Sequence, residues 1–240
     1  MVQIGVKLNE ESWLIEHFVI NGDPHQSQVW KDLDYFINRD YEHENGKTIK
    51  PVITAIDSGG IHTSEVYQYA RERQALGVIA IKGQSIRNKP PIGKPTRVDI
   101  NIKGKSLKKG SLLYPVGVDT VKNTLIGRLK SNAEDSDAYI HFHATTGEEY
   151  FKQITSERQQ LKTNRAGFQV TMWVKKPNQR NEALDCWVYS YAAMVLYISK
   201  YPRNKVWIIL ENKLNEFNNV VKPKRATIRT APKKDFVNSW

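Results

Sequence analysis

Asp57 closes the apolar run "VITAID" and is followed at once by Ser58, Gly59 and Gly60. A carboxylate at a strand end, beside glycines that let a backbone or a phosphate approach closely, has the character of a metal ligand. The same residues also describe an ordinary turn in which Asp is the turn former. A second carboxylate, Asp185, falls in the middle of the helical stretch "NEALDCW". Glu182, Val188 and Tyr189 lie three or four residues from it, which puts it at the border of an apolar stripe. Asp119 stands where another helix begins and reads as its cap. Two carboxylates from separate elements, with Lys82 ending a neighbouring strand, suit divalent-metal phosphodiester chemistry. Hard oxygen ligands hold Mg²⁺ or Mn²⁺, and two such ions activate a water and stabilise the leaving oxygen. Spacing alone leaves both the turn and the site reading of Asp57 open. The "HFH" stretch puts His141 and His143 on one face of a predicted strand, but no third His or Cys follows nearby, so they read as surface or packing histidines.

Several chemistries are excluded. No Gly-rich phosphate loop ends in Lys-Ser or Lys-Thr, and no G-x-S-x-G elbow is present. Cys186 is the single cysteine, which rules out an internal disulfide framework and a thiolate zinc cluster and fits a reducing compartment. The N-terminus has neither a basic n-region nor a long apolar run, and the longest apolar segment, "SYAAMVLYI", is too short to cross a bilayer. The chain is expected to be soluble and intracellular. The formal net charge of +11 is the compositional outlier, and it points to a polyanion, nucleic acid first. Over residues 222–240 six cations face only Asp235, so +6 remains for the body.

The elements that must position these residues follow from periodicity. "VQIGVKL" and "SWLIEHFVI" read as a hairpin. "SQVWKDLDYFINRDY" and "TSEVYQYARERQ" read as helices, capped by Ser27 and by Thr63 or Ser64. "VITAID" and "GVIAIKG" read as buried strands, so this part alternates helix, strand, helix, strand, the mark of an α/β domain. Residues 83–111 break the rhythm as a polar excursion rich in Pro, Gly and Lys, in which only "RVDINI" alternates like an exposed strand. "LLYPVGV" returns to strand, "TVKNTLIGRLK" and "EEYFKQITSERQQLK" read as helices, and "FQVTMWVKK" as a strand. "NEALDCWVYSYAAMVLYIS" carries one wide apolar stripe. "NKVWIILENKLNEF" is a last amphipathic segment before a basic tail without apolar periodicity.

The segments "EESWLIEHFVINGDPHQSQVWKDLD", "ITAIDSGGIHTSEVYQYARER", "IAIKG", "LLYPVGVDTVKNTLIGRL", "EEYFKQITSE" and "WVKKPNQRNEALDCWVYSYAA" together resemble the nuclease domain of lambda-type phage terminase large subunits, the GpA family. The resemblance covers roughly residues 4–200 in order. It implies a ribonuclease-H-like α/β fold over residues 1–202, a mixed sheet flanked by helices, in a protein of the bacterial host's cytoplasm. The segment after about residue 202 has no counterpart in the family, and its own pattern reads as an amphipathic helix over 203–221 and a flexible basic tail over 222–240. It further implies an endonuclease that cuts concatemeric double-stranded viral DNA with two Mg²⁺ or Mn²⁺ ions, alongside the terminase small subunit and the portal protein. Asp57 matches the family's fourth-strand acid and Asp185 its last-helix acid, both as metal ligands. Asp119 lies in a family motif, and Lys82 is a candidate for phosphate or developing charge. The family's first acid belongs to a strand upstream of "VQIGVKL", as does an ATPase domain. The expectation is therefore an expressed fragment or a truncated prophage product whose site lacks a ligand, and which cleaves poorly. Two other readings stand beside this one. One is another ribonuclease-H-like nuclease, such as a resolvase. The other is a silent DNA-binding module gripping phosphates through Lys103, Lys105, Lys108, Lys109, Lys175, Lys176 and Arg180.

Overall fold

A computed structural model of the chain describes residues 2–6, 10–43, 46, 48–102, 104–131, 138–163 and 166–216. β1 (Val2–Val6) pairs antiparallel with β2 (Ser12–His17), as the hairpin reading expects. α1 (Ser27–Asn38) follows, then the short pair β3 (Tyr41–Glu42) and β4 (Thr48–Ile49). β5 (Thr54–Asp57), α2 (Thr63–Glu72) and β6 (Val78–Gln84) form a βαβ unit with parallel strands. β7 (Thr96–Ile102) and β8 (Lys105–Gly117) form a long hairpin, with β8 parallel to β6. The order β5-β6-β8-β7 makes a mixed sheet.

Helix α3 (Val118–Lys130) leaves β8 directly, and β9 (Ile140–His141) joins β2 in a second small sheet. α4 (Glu148–Ile154), the hairpin β10 (Glu157–Thr163) and β11 (Gln169–Lys175), α5 (Glu182–Ile198) and α6 (Val206–Glu216) complete the described chain. Among the described residues no helix is long and apolar enough to cross a membrane.

Strand alternation sorts the sheet into two faces. Ala55, Ile79, Ile81 and Val116 pack with Val121 and Leu125 of α3, Ile154 of α4 and Leu184, Trp187 and Val188 of α5. Ile56, Val78, Ala80, Val98, Ile100 and Leu113 pack instead against Trp30, Leu33 and Ile37 of α1 and Val66, Tyr69 and Ala70 of α2. Two apolar layers over one sheet are the ribonuclease-H-like α/β arrangement expected, with helices on both faces. On the second face Arg73 grips both oxygens of Asp34 (Nη2–Oδ2, 2.6 Å), and the Tyr69 hydroxyl donates to Asp34 at 2.8 Å, which locks α2 to α1. This pairing holds the Asp34 carboxyl below its ordinary range, and burial is the main reason the Tyr69 hydroxyl stays neutral.

Several local readings are corrected. The polar excursion is largely the β7–β8 hairpin, and Ile100 is fully buried rather than on an exposed strand. Composition hid it because one face of a hairpin tip is solvated and rich in Lys. The stretch "EEYFKQITSERQQLK" is helical only to Ile154, since Ser156 turns the chain and its carbonyl accepts from Lys176 N–H at 2.9 Å. Pairing with β11 along its whole length then overrides helix propensity from Glu157 onward. Ser27 is the first helical residue after Gln26 rather than a cap, and Thr63 follows His62, its hydroxyl donating back to the Ser58 and Gly60 carbonyls at 2.8 Å. Gly117, not Asp119, caps α3: the helix starts at Val118, so Asp119 lies inside its first turn, and the Pro90 carbonyl oxygen would stand 2.4 Å from a Cβ at 117. The strand at "HFH" ends at His141; that ring stacks on Trp13 and meets Glu11 at 2.6 Å, while His143 bonds Thr145. Lys103 and the tail at 222–240 lie outside the described residues.

Gly77 ends the turn after α2 in the left-handed region (φ +77), where its carbonyl accepts from Thr54 N–H and a Cβ would lie 2.6 Å from the Val52 carbonyl oxygen. Gly77→Ala should therefore cost more than about 1–2 kcal/mol, the left-handed penalty alone, and lower the urea midpoint. An unchanged midpoint would show that β5 and β6 do not need this close approach.

Candidate active site

β5 and β6 run parallel with Asp57 opposite Ile81, so Asp57 lies at the carboxyl end of the sheet on the face covered by α5. Ser58 anchors the turn beyond the strand: it is 2% exposed, and its N–H and hydroxyl both donate to the Ile81 carbonyl, at 2.9 and 2.8 Å. Asp57 Oδ1 accepts from Gly59 N–H at 3.0 Å, an Asx turn. A Cβ on Gly59 would meet that carboxylate at 3.2 Å. The turn reading of Asp57 is thus correct in detail, and it orients an exposed carboxylate.

Asp185 arrives from the other side, on the first turn of α5 rather than mid-helix, because the helix starts at Glu182. Asn181, just before the helix, donates through Nδ2 to Asp185 Oδ2 at 3.1 Å and to Glu157 Oε1 at 3.0 Å. Lys122 of α3 projects between them, its Nζ 2.8 Å from both Glu157 oxygens and 3.8 Å from Asp185 Oδ1. The Lys122 and Glu157 side chains are 7% and 6% exposed, against 39% for Asp185. Burial raises the Asp185 pKa first; the Lys122 charge opposes this, and Glu157, Asp57 and Glu182 add to it. Ionising Asp185 is therefore harder in the folded chain than in the unfolded one. Its contribution favours folding below the ordinary carboxylate pKa and fades as pH rises through the raised value.

Tyr189, one turn along α5, faces the same carboxylates, and burial together with the charges of Asp57 and Asp185 keeps its hydroxyl neutral. Gly83 makes room for it, since a Cβ there would stand 2.8 Å from the Tyr189 hydroxyl. The cluster thus holds Glu157 and Asp185 around one buried ammonium, with Asp57 near enough for its charge to act on Asp185. This excess of hard oxygen donors fits a divalent cation at Asp57 and Asp185, whereas Glu157 is spent on Lys122 and Asn181. Glu157, Lys122, Asn181 and Tyr189 were missed from sequence. The Asn181–Asp185 spacing of one helical turn was the available signal.

The other candidate residues lie apart. Lys82 follows Ile81, so alternation directs it to the α2 face, away from Asp57. Asp119 lines a polar cleft with Arg87, Asn123, Gln159 and Trp173, which neither Asp57 nor Asp185 reaches. Lys105, Lys108 and Lys109 sit on the part of β8 that runs past the opposite end of β6. Counting back from Tyr114, level with Asp57 and Ile81, they lie roughly 17–30 Å along the strand. Lys108 is also paired with Asp99 at 2.8 Å. Lys175, Lys176 and Arg180 instead lead straight into α5, although Arg180 meets Glu182 at 3.1 Å.

The model of the family described as "Terminase large subunit gpA, endonuclease domain" matches residues 2–207. The chain belongs to this family. It is 32% identical to the terminase large subunit of Escherichia phage lambda and 30% identical to that of Enterobacteria phage P21, each over 200 residues. Those alignments cover 80% of this chain and 29% of each relative's length, so the gpA endonuclease-domain match spans under a third of the relatives. No solved structure matches.

The buried pair at the centre of this endonuclease-domain cluster generates a stability test. Lys122→Ala, which strands Glu157, should cost about 3–5 kcal/mol, whereas Lys122→Met combined with Glu157→Leu should recover most of that loss. A double-mutant cycle by urea unfolding measures the coupling, and additive losses would mean that the two side chains do not act as a unit.

Proposed function

We propose that this chain is a metal-dependent endonuclease that cuts concatemeric double-stranded viral DNA during packaging, with Asp57 and Asp185 as the residues that hold Mg²⁺ or Mn²⁺. The observation that carries this reading is their convergence from a strand end and a helix start. They come close enough for the Asp57 charge to act on Asp185, in a chain of the gpA endonuclease family. The bound ions would supply an activated water and neutralise charge developing on the phosphate.

The chain's own residues do the positioning. The Asx turn aims Asp57, and Asn181 and Lys122 orient Asp185 through its two oxygens. Lys122 also pairs with the buried Glu157 at 2.8 Å, which fixes the start of β10 against α3. Tyr189 stays neutral beside the two aspartates, so it adds no charge to the site. Lys175, Lys176 and Arg180, just ahead of α5, would meet the DNA backbone beside the carboxylates. Lys105, Lys108 and Lys109 would touch it only where the duplex extends past the far end of the sheet. Lys82 and Asp119 would act from the neighbouring face and cleft. The terminase small subunit and portal protein are the proposed partners in the packaging assembly, and the host cytoplasm is the proposed setting.

A second reading, a DNA-binding packaging module that does not cut, draws on Lys122, whose ammonium already balances part of the acidic cluster. Plasmid nicking with Mn²⁺ or Mg²⁺ separates the two. The nuclease reading expects cleavage that needs the metal and falls more than about 100-fold in Asp57→Asn and in Asp185→Asn, beyond the loss of an outer-shell partner. Salt-sensitive duplex binding with no cutting under either metal would favour the silent module.

A further inference from the structure

A second group of metal-binding side chains lies on the other side of the Asp57 turn. Asp23, His25 and His62 each offer one donor atom, and these atoms all fall within 4.8 Å of one another. Asp23 and His25 come from the turn before α1, and His62 from the residue that precedes α2. The geometry points to a third role for this region: a transition-metal site of two imidazoles and one carboxylate that fastens the N-terminal turn of α2 to the N-terminal turn of α1. It does not depend on the nuclease reading.

Two observations go beyond the clustering. His25 Nδ1 lies 2.9 Å from Glu65 Oε1, which leaves Nε2 as the nitrogen open to an ion. A carboxylate on the far nitrogen of a ligating imidazole sets its tautomer and orients the ring. His62 Nδ1, in turn, is buried and has no hydrogen-bond partner among the described residues. A buried ring nitrogen without a partner is costly, and a coordinated ion would satisfy it. The two rings stand edge to face with centroids 4.5 Å apart, so both imidazoles meet at one place.

The scaffold around the three donors is already rigid. Asp23 Oδ1 accepts from His25 N–H at 2.9 Å, the Asp23 carbonyl accepts from Gln26 N–H at 2.8 Å, and the Trp30 indole donates to the Pro24 carbonyl at 2.7 Å. Gly22 turns the chain at φ +145, where a Cβ would stand 2.5 Å from Val29. Trp30 packs on Tyr69, and Tyr69 and Arg73 hold Asp34, so α1 and α2 cannot drift apart. Thr63 ties His62's neighbour back to Ser58 and Gly60. An ion bound here would therefore brace the short turn that aims Asp57.

Two nitrogen donors and one oxygen donor select borderline ions of the Zn²⁺, Co²⁺ and Ni²⁺ type over Mg²⁺, which takes oxygen ligands. This separates the site chemically from the Asp57–Asp185 pair.

The test uses the untagged 240-residue chain, stripped of metal and titrated with Co²⁺ while visible d–d absorption is followed. One equivalent should bind, be displaced by Zn²⁺, and survive a large excess of Mg²⁺. His62→Ala should abolish the signal, and His25→Asn, at a solvent-exposed position, should do the same even if His62→Ala fails to fold. Glu65→Gln should weaken binding by about 10–100-fold. Asp57→Asn should leave it intact, so that failure of this site and failure of the nuclease site give different results. Absent Co²⁺ absorption in the wild-type chain, or equal absorption in folded His25→Asn and His62→Ala, would overturn the assignment.

Discussion

A buried ammonium flanked by carboxylates is the interaction on which the rest of the candidate site depends. Lys122 sits in the interior with Glu157, each less than a tenth exposed, and such a pair is tolerable only when the charges and their remaining hydrogen bonds are matched. The match requires α3, the start of β10 and the start of α5 to meet at one place. Asn181 completes it by bonding both Glu157 and Asp185. Once those three elements are fixed, Asp185 has one direction to face, toward the end of β5. The cluster then retains more negative charge than its lysine neutralises, which adds to burial in making Asp185 resist ionisation.

Asp57 shows that a structural and a chemical explanation of one residue need not compete. Its Oδ1 closes an Asx turn on Gly59, and that turn, anchored through Ser58 to β6, holds the carboxylate at the sheet's carboxyl end. Ligands and reactive groups in open α/β sheets gather at that end. Charge is distributed along the same axis. The cations after β11 lie beside the acidic cluster, and those of the β7–β8 hairpin lie far along β8, so a bound duplex would have to run the length of the sheet to meet both.

Some of this was legible in the sequence. The run into Asp57, the parallel βαβ unit and the long apolar stripe of α5 follow from local pattern, because burial of one helix stripe or a whole strand leaves a periodic trace. Glu157 was not legible. The stretch "EEYFKQITSERQQLK" has helical composition throughout, and only pairing with β11 makes its second half a strand. Lys82 could not be placed from spacing, since one residue decides which face a strand side chain joins, and that parity emerges from the register with β5 and the packing of Ile81. Residues 83–111 read as a polar excursion because the projecting part of the hairpin is mostly Lys, Gly and Ser. The buried Ile100 is what shows its inner face. His62 lies far from Asp23 and His25 in sequence and becomes their neighbour where α1 packs against α2.

The most direct measurement is a carboxyl ¹³C titration of the aspartates by NMR, with and without Mg²⁺. If Asp57 and Asp185 form one cation site, Asp185 titrates above the ordinary carboxylate value without metal, and Mg²⁺ carries its pKa below that value while shifting the Asp57 resonance. Burial holds it up in the first case, and a bound cation favours the charged form in the second. Identical titrations of both aspartates in the presence and absence of Mg²⁺ would contradict the central claim.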